Sequence, residues 1–362
     1  GGDSGTCDGS KAPSEEACVI DAKYGVFVSP KGDDSAGDGS QAKPYKTLSK
    51  AVAAAAAANK RVYACDDGSG YSETATLDLT ALDGSGLFGG FECAGWTYST
   101  TARAKLSGAS TAAKIDGAQT GMDLEDLELT AAAASAGGAS SFAMVVTASK
   151  NVSLRRVKLT AGAGGAGAPG ADGTGGAAGT SPNTHTGTTA TCTSAPAFQG
   201  GGDWAADNAC GSRGGKGGTA TKEGAGGSGS PGTPLTNVTP ANRGKGGAGG
   251  QLVIDLAQPG QPGSSGNPGT TGPSAAAAGG FSVAGFAPAS GASGTDGFPG
   301  QGGGGGGASA ASVATANCIG ASGGAGGMGG CGGTKATGGG GGGASVALLS
   351  FGSTVTLDAC EL

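Results

Sequence analysis

Between Thr160 and Gly343 glycine returns at every third position, so along this stretch one backbone step in three carries no side chain. Gly164, Gly167, Gly170, Gly173, Gly176 and Gly179 form one unbroken series, and Gly260 to Gly272 another. Gly291 to Gly306 and Gly320 to Gly332 repeat the spacing, with shorter traces near Gly214, Gly229 and Gly247. Three residues is the period of the polyproline-II conformation, which makes no internal hydrogen bonds and turns every N–H and C=O outward. Collagen answers that need by winding three chains, but it requires far more proline than the 15 residues present. The series predict instead a bundle of polyglycine-II helices folded back and forth within one chain, whose glycine edges let backbones approach closely. Composition alone suggests a disordered linker. The strict registers, the cysteines inside the insert and the strand-like runs QLVIDL and FSVAGF argue for order.

With 82 glycines and only 4% aromatic residues, one conventional core of this length is excluded. Apolar residues gather before Thr160 and after Ala344, and there three segments align: MDLEDLELT, NVSLRRVKLT and STVTLDACEL. Leu124, Leu154 and Leu357 share one column; Leu127, Val157 and Cys360 a second; Leu129, Leu159 and Leu362 a third. Short strands repeating with no helix between them predict an all-β fold, the coils of a right-handed parallel β-helix with like positions stacked at roughly 4.8 Å. An antiparallel sandwich is the alternative. Thr47 is an N-cap for an alanine-rich helix with Leu48, Ala51, Val52 and Ala55 on one face, which caps the first coil. The expected organisation is a flexible N-terminal tether (1–17), a capped β-helix (18–160), the polyglycine-II insert (161–343) and a final coil (344–362).

Net charge is −6 and the basic residues are scattered, which excludes a positive stripe for nucleic acid or anionic lipid. The longest apolar run, Ala51 to Ala58, is far short of the roughly 20 residues that span a bilayer. Eight of nine cysteines fall in near pairs, Cys7 with Cys18, Cys65 with Cys93, Cys192 with Cys210 and Cys318 with Cys331, which reads as disulfides in an oxidising compartment. No Cys-x-x-Cys occurs and His185 is the only histidine, so neither zinc nor any other metal or cofactor is expected. A sequence that opens on Gly1 suggests a removed signal peptide, and the expected location is extracellular or on the outer cell surface.

Asp33, Asp34 and Asp38 supply enough oxygens for calcium but lack EF-hand spacing, so they read as a solvated turn. Arg155 and Arg156 could serve a polysaccharide lyase, in which a basic residue abstracts a proton. The alignment gives them a structural reading: Glu125, Arg155 and Asp358 stack in one column and Glu128, Lys158 and Glu361 in another, a surface charge ladder of alternating sign. Cys360 falls on an inward column and reads as a buried free thiol. Trp96 reads as covering a coil end, and Trp204, like Trp96, could stack on sugar.

The runs VFVSPKGDDSAGDGSQAKPYKTLSKAV, RVYAC, GGFECAGWTY and NVSLRRVKLTAGAGGAGAPGADG resemble the glycine-rich, PGRS-type secreted proteins of myxobacteria, whose N-terminal part is similar to pectate-lyase-like β-helix proteins. The resemblance covers essentially the whole chain and implies an extracellular β-helix with glycine-rich inserts; it brings no catalytic residues. The chain stops at Leu362 inside the repeated motif, so the reading expects either a fragment or an open last coil. The function expected is that of a non-enzymatic secreted or cell-surface structural protein. Its copies would join head-to-tail through that open end into a filament or surface layer, or adhere to cell-surface or matrix polysaccharide. A β-helical polysaccharide lyase or hydrolase and an ice- or surface-binding protein are the alternatives.

Overall fold

The computed structural model describes residues 7–180, 185–193, 196–203, 210–222, 224–241, 243–251, 256–311 and 317–362. They form two compact units: residues 1–169, 275–290 and 340–362 in the first, and 170–274 and 291–339 in the second.

In the first unit the strands alternate among three sheets as the chain advances. One sheet runs β1 (Gly25–Val28), β2 (Arg61–Asp66), β5 (Gly86–Glu92), β9 (Met122–Glu125), β12 (Val152–Arg155) and β21 (Val355–Asp358), all parallel. β6 (Thr97–Tyr98) adds antiparallel to β5. The second sheet holds β13 (Lys158–Thr160), β10 (Leu127–Ala131), β7 (Ala104–Gly108) and β3 (Tyr71–Ser72). The third holds β20 (Ser345–Phe351), β11 (Ser141–Thr147), β8 (Thr111–Asp116) and β4 (Leu77–Asp78). Leu124, Leu154 and Leu357 are in register, as are Leu129 and Leu159, so each apolar column is a stack of like positions. Leu106, Leu124, Leu129, Met144 and Leu154 meet in one core, onto which helix α1 (Leu48–Ala58) lays Leu48, Ala51, Val52 and Ala55. The Thr47 hydroxyl caps that helix by accepting from Lys50 N–H, and Asn59 ends it in a left-handed conformation.

The bends between sheets are set by single residues. Asp126, Arg156 and Ala359 follow paired positions of β9, β12 and β21, and all have φ between 52° and 57°. Gly117, Ala148 and Gly352 do the same after β8, β11 and β20. At each level the turned N–H bonds to the neighbouring strand, Asp126 to Arg155 O at 3.1 Å and Arg156 to Asp358 O at 2.8 Å, so the bends are themselves hydrogen-bonded ladders.

The expectation of one right-handed parallel β-helix is therefore corrected. The strands divide among three separate, mostly parallel sheets, and three two-stranded antiparallel pairs complete the described strands. An aligned column dictates that like positions stack; it does not dictate how the bends distribute strands among sheets. Nor is the glycine-rich stretch a polyglycine-II helical bundle. Its described residues carry no helix, and its regular elements are the pairs β14 (Phe198–Gln199) with β15 (Ala220–Thr221) and β16 (Val238–Thr239) with β17 (Ser265–Gly266). The period of three fixes which residues can approach a neighbour closely without imposing a helix. FSVAGF folds as the hairpin of β18 (Gly279–Ser282) and β19 (Gly285–Pro288) in the first unit, while residues 252–255 of QLVIDL and Trp204 lie outside the described residues.

Order in the second unit comes from backbone hydrogen bonds. Gly297, Gly300, Gly303 and Gly306 donate in turn to Gly333, Gly330, Gly327 and Gly324 at 2.8–2.9 Å. The residues between them turn elsewhere: Gly304 and Gly307 to Gln261 and Gln258, and Gly302 and Gly305 to Thr233 and Ser230. A Cβ on Gly302, Gly304 or Gly307 would stand 2.2, 1.8 or 2.0 Å from a neighbour's carbonyl oxygen, so here glycine is a steric requirement.

The N-terminal segment is not a free tether over its described residues. Arg61 binds the carbonyls of Gly9 and Lys11, the Ser14 hydroxyl donates to Glu125, and Cys7 is bonded to Cys18. The expected insert boundaries shift as well: residues 161–169, 275–290 and 340–343 belong to the first unit.

Candidate functional site

The densest group of charged side chains lies where β9 and β12 end. Glu125 is 2% exposed and Asp126 fully buried. Arg155 reaches Glu125 at 2.9 Å, and Arg156 reaches Glu125 at 3.1 Å and Asp126 at 2.6 Å. The Tyr98 hydroxyl donates to the other Asp126 oxygen, and Ser14 to Glu125 at 3.2 Å. Burial holds the Glu125 carboxyl above its ordinary range against the pull of both arginines. Burial, followed by the bond to Asp126, also pushes the Tyr98 phenol up. Both guanidinium groups are thus engaged with carboxylates, and the cluster ties Ser14 and Glu15 of the N-terminal segment to the parallel sheet.

The charge ladder is seated differently from a surface ladder. Arg155 does stand in register between Glu125 and Asp358, but Glu125 is buried beneath the N-terminal segment. In the second column Lys158 bonds Glu128 at 3.1 Å, whereas Glu361 turns to Arg103 at 2.7 Å. Cys360 is a free thiol, yet half-buried and 3.3 Å from Leu154 O, because Val157 covers its column on one side only.

The disulfides Cys7–Cys18 and Cys65–Cys93 join near neighbours. Inside the glycine-rich unit the near pairing is corrected: Cys192 bonds Cys318 and Cys210 bonds Cys331, closing separations of 126 and 121 residues. The segments run back beside one another, so a distant cysteine is nearer in space than one close in sequence.

The acidic loop spends its oxygens on its own chain. Asp34 accepts from Lys46 N, Thr47 N and the Thr47 hydroxyl, Asp33 from Ser35 N and Ala36 N, and Asp38 from Ser40 N. Among the described residues one His/Cys/Asp/Glu group has its ligand atoms close enough for a metal, Cys7, Glu16 and Cys18, and its two sulfurs are joined as a disulfide. Trp96 packs edge-on to Phe27 at 4.7 Å and donates its indole N–H to Gln41 O, filling a second aromatic cluster with Tyr63 and Phe91. His185 lies in the second unit, with its carbonyl accepting from Ala325 N.

The feature best suited to a partner is the outer edge of β20 and β21. Each pairs on one side only, with β11 and β12. Phe351 and Leu357 are 38% and 43% exposed, and Leu348 and Val355 are half-buried against the core. The far edge differs. Phe27 N donates to Gly39 O at 2.8 Å, and Tyr45 N donates to Phe27 O at 3.0 Å, so the outer side of β1 is already paired with the loop from Gly39 to Tyr45. The outer side of β1 is therefore not a free strand edge. The sequence does not separate the free edge from a covered strand, since SVALLSF is no more apolar than SFAMVVT of β11, which pairs on both sides, and the loop that pairs with β1 is polar.

Comparison with known proteins finds no matching family model, no matching characterised protein and no matching solved structure. Among the described residues no helix is long and apolar enough to cross a membrane.

Proposed function

We propose that the protein is a secreted or cell-surface structural component that associates with a second copy of itself through the edge of β20 and β21. The observation that carries this reading is the pairing of an apolar seam, Phe351 and Leu357 over Leu348 and Val355, with a row of unpaired strand groups. Natural edges are usually blunted by charge, proline or a covering element, and β1 has such a cover. The second copy brings the same edge, because the outer side of β1 is occupied; the contact is then two-fold and self-complementary. Four disulfides fit an oxidising, extracellular setting.

Hydrogen exchange tests this directly. Amides of Ser345–Phe351 and Val355–Asp358 that face outward become more protected as protein concentration rises, while those of β9 stay unchanged. Leu357→Lys abolishes the concentration dependence without lowering the thermal midpoint. Exchange at this edge that is independent of concentration overturns the reading.

A further inference from the structure

In the second unit the segment Gly291–Gly307 is flanked on one side by residues 324–339 and on the other by residues 258–273, and between the flanks runs an open groove. Two cavities of about 640 and 680 Å3 lie along it. Its floor is the column Gly291, Gly294, Gly297, Gly300 and Gly303, which Gly306 continues in sequence. Gly294 is held by packing, its Cβ position 2.7 Å from Thr270 O, but three others in the column differ from their neighbours. A Cβ on Gly297, Gly300 or Gly303 would meet nothing nearer than 3.3–3.5 Å, against 1.8–2.2 Å for Gly302, Gly304 and Gly307. Packing within the chain therefore explains why the second set is glycine and leaves the first unexplained.

The walls carry a second, independent signal. Along residues 323–331 successive N–H groups point in three directions. Gly323 and Gly326 donate to Gly218 and Gly215, and Ala325, Met328 and Cys331 donate to His185, Thr180 and Ala177. The third set, Gly324, Gly327, Gly330 and Gly333, has no acceptor among the described residues. Its nitrogens lie 3.4–3.8 Å from where the floor's Cβ atoms would be, which places them at the groove. On the opposite wall Gly269 N and Gly272 N, 3.7 and 3.5 Å from the positions at Gly297 and Gly294, are likewise without an acceptor. A narrow trough with a floor free of side chains and unpaired donors at three-residue spacing matches the carbonyl repeat of an extended backbone.

We propose that this groove binds an extended glycine-rich backbone, namely the segment Gly170–Thr180 of a second copy. That segment is exposed along its whole length, its glycines stand at 170, 173, 176 and 179, and among the described residues its hydrogen-bond partners all lie within 328–337. The carbonyls of Asp172, Gly173, Gly175 and Gly176 accept nothing among the described residues and are free to take the groove's N–H groups. The inference rests on the reading of the protein as self-associating, but engages a different surface. A chain with both contacts has two distinct joints and can extend beyond a pair.

The probe is a fluorescently labelled synthetic peptide with the sequence of residues 168–180, titrated with the full chain carrying Leu357→Lys, so that pairing at the strand edge plays no part. Anisotropy is expected to saturate with one site per chain. Binding weakens about tenfold or more in Gly300→Leu/Gly303→Leu, whose side chains fill the trough. If the leucine pair lowers the thermal midpoint, Gly303→Ala decides instead: its methyl carbon would stand 3.5 Å from the nearest atom of the chain, an ordinary contact, so this variant folds as wild type and still binds more weakly. Absence of saturation at millimolar peptide, or equal binding by wild type and groove-filled chains, overturns the proposal.

Discussion

Asp126, Arg156 and Ala148 sit where L-residues are strained, with φ of 57°, 55° and 48°, and each holds a bend between sheets. For Ala148 no side-chain bond offsets that strain, so Ala148→Gly is expected to raise stability by about 1 kcal/mol in a denaturant titration, because glycine enters this region at no steric cost. A loss of stability would show that the methyl group packs better than the strain costs. Arg156 is different. It is bonded to both acids of the buried cluster, so Arg156→Met leaves Asp126 as an uncompensated carboxylate and is expected to cost about 3–5 kcal/mol, read from the shift in denaturant midpoint. Asp83 sets a pH dependence. Its carboxylate accepts from Gln119 N at 2.9 Å, Thr120 N at 2.8 Å and Gly121 N at 3.0 Å, and these backbone bonds hold its pKa below the usual range. Its contribution is present above the unfolded value, near 3.9, and is lost as pH falls through the lowered folded value. Asp83→Asn should therefore flatten the acid limb of the stability profile; an unchanged limb would assign the acid sensitivity elsewhere. Glu125, raised by burial, acts with the opposite sign: its contribution is full below its unfolded value and declines as pH rises through the folded one.

At the scale of elements, the stacked columns were legible because a parallel pairing puts like with like: Leu124, Leu154 and Leu357 align in sequence and in register. The division into three sheets was not legible. It depends on left-handed bends at Asp126, Arg156 and Ala148, residues whose side chains do not announce a positive φ as glycine would. The charge cluster was half legible. Glu125 and Arg155 could be placed in one column, but the segment that buries them is glycine-rich and polar, and its docking through Ser14 and Arg61 leaves no periodic trace. Glycine spacing foretold close backbone approach without saying which segments would meet, and so the distant pairings Cys192–Cys318 and Cys210–Cys331 were hidden from the sequence.

Taken whole, the chain uses two kinds of order: an apolar core between parallel sheets in one unit, and backbone hydrogen bonds with two disulfides in the other. Because those two bridges span more than a hundred residues each, chain-entropy arguments assign about 4 kcal/mol or more to either. Under reductant, hydrogen exchange in residues 291–311 and 320–339 is expected to accelerate before that of β9 and β12, and simultaneous loss of protection would indicate a single cooperative unit. A structural role for the whole protein depends on association. Sedimentation equilibrium of the intact, oxidised chain across a wide concentration range tests it most directly: the account predicts a mass of two chains or more that falls to one in Leu357→Lys combined with the groove-filled pair, and a single-chain mass for the unmodified protein at every concentration would contradict it.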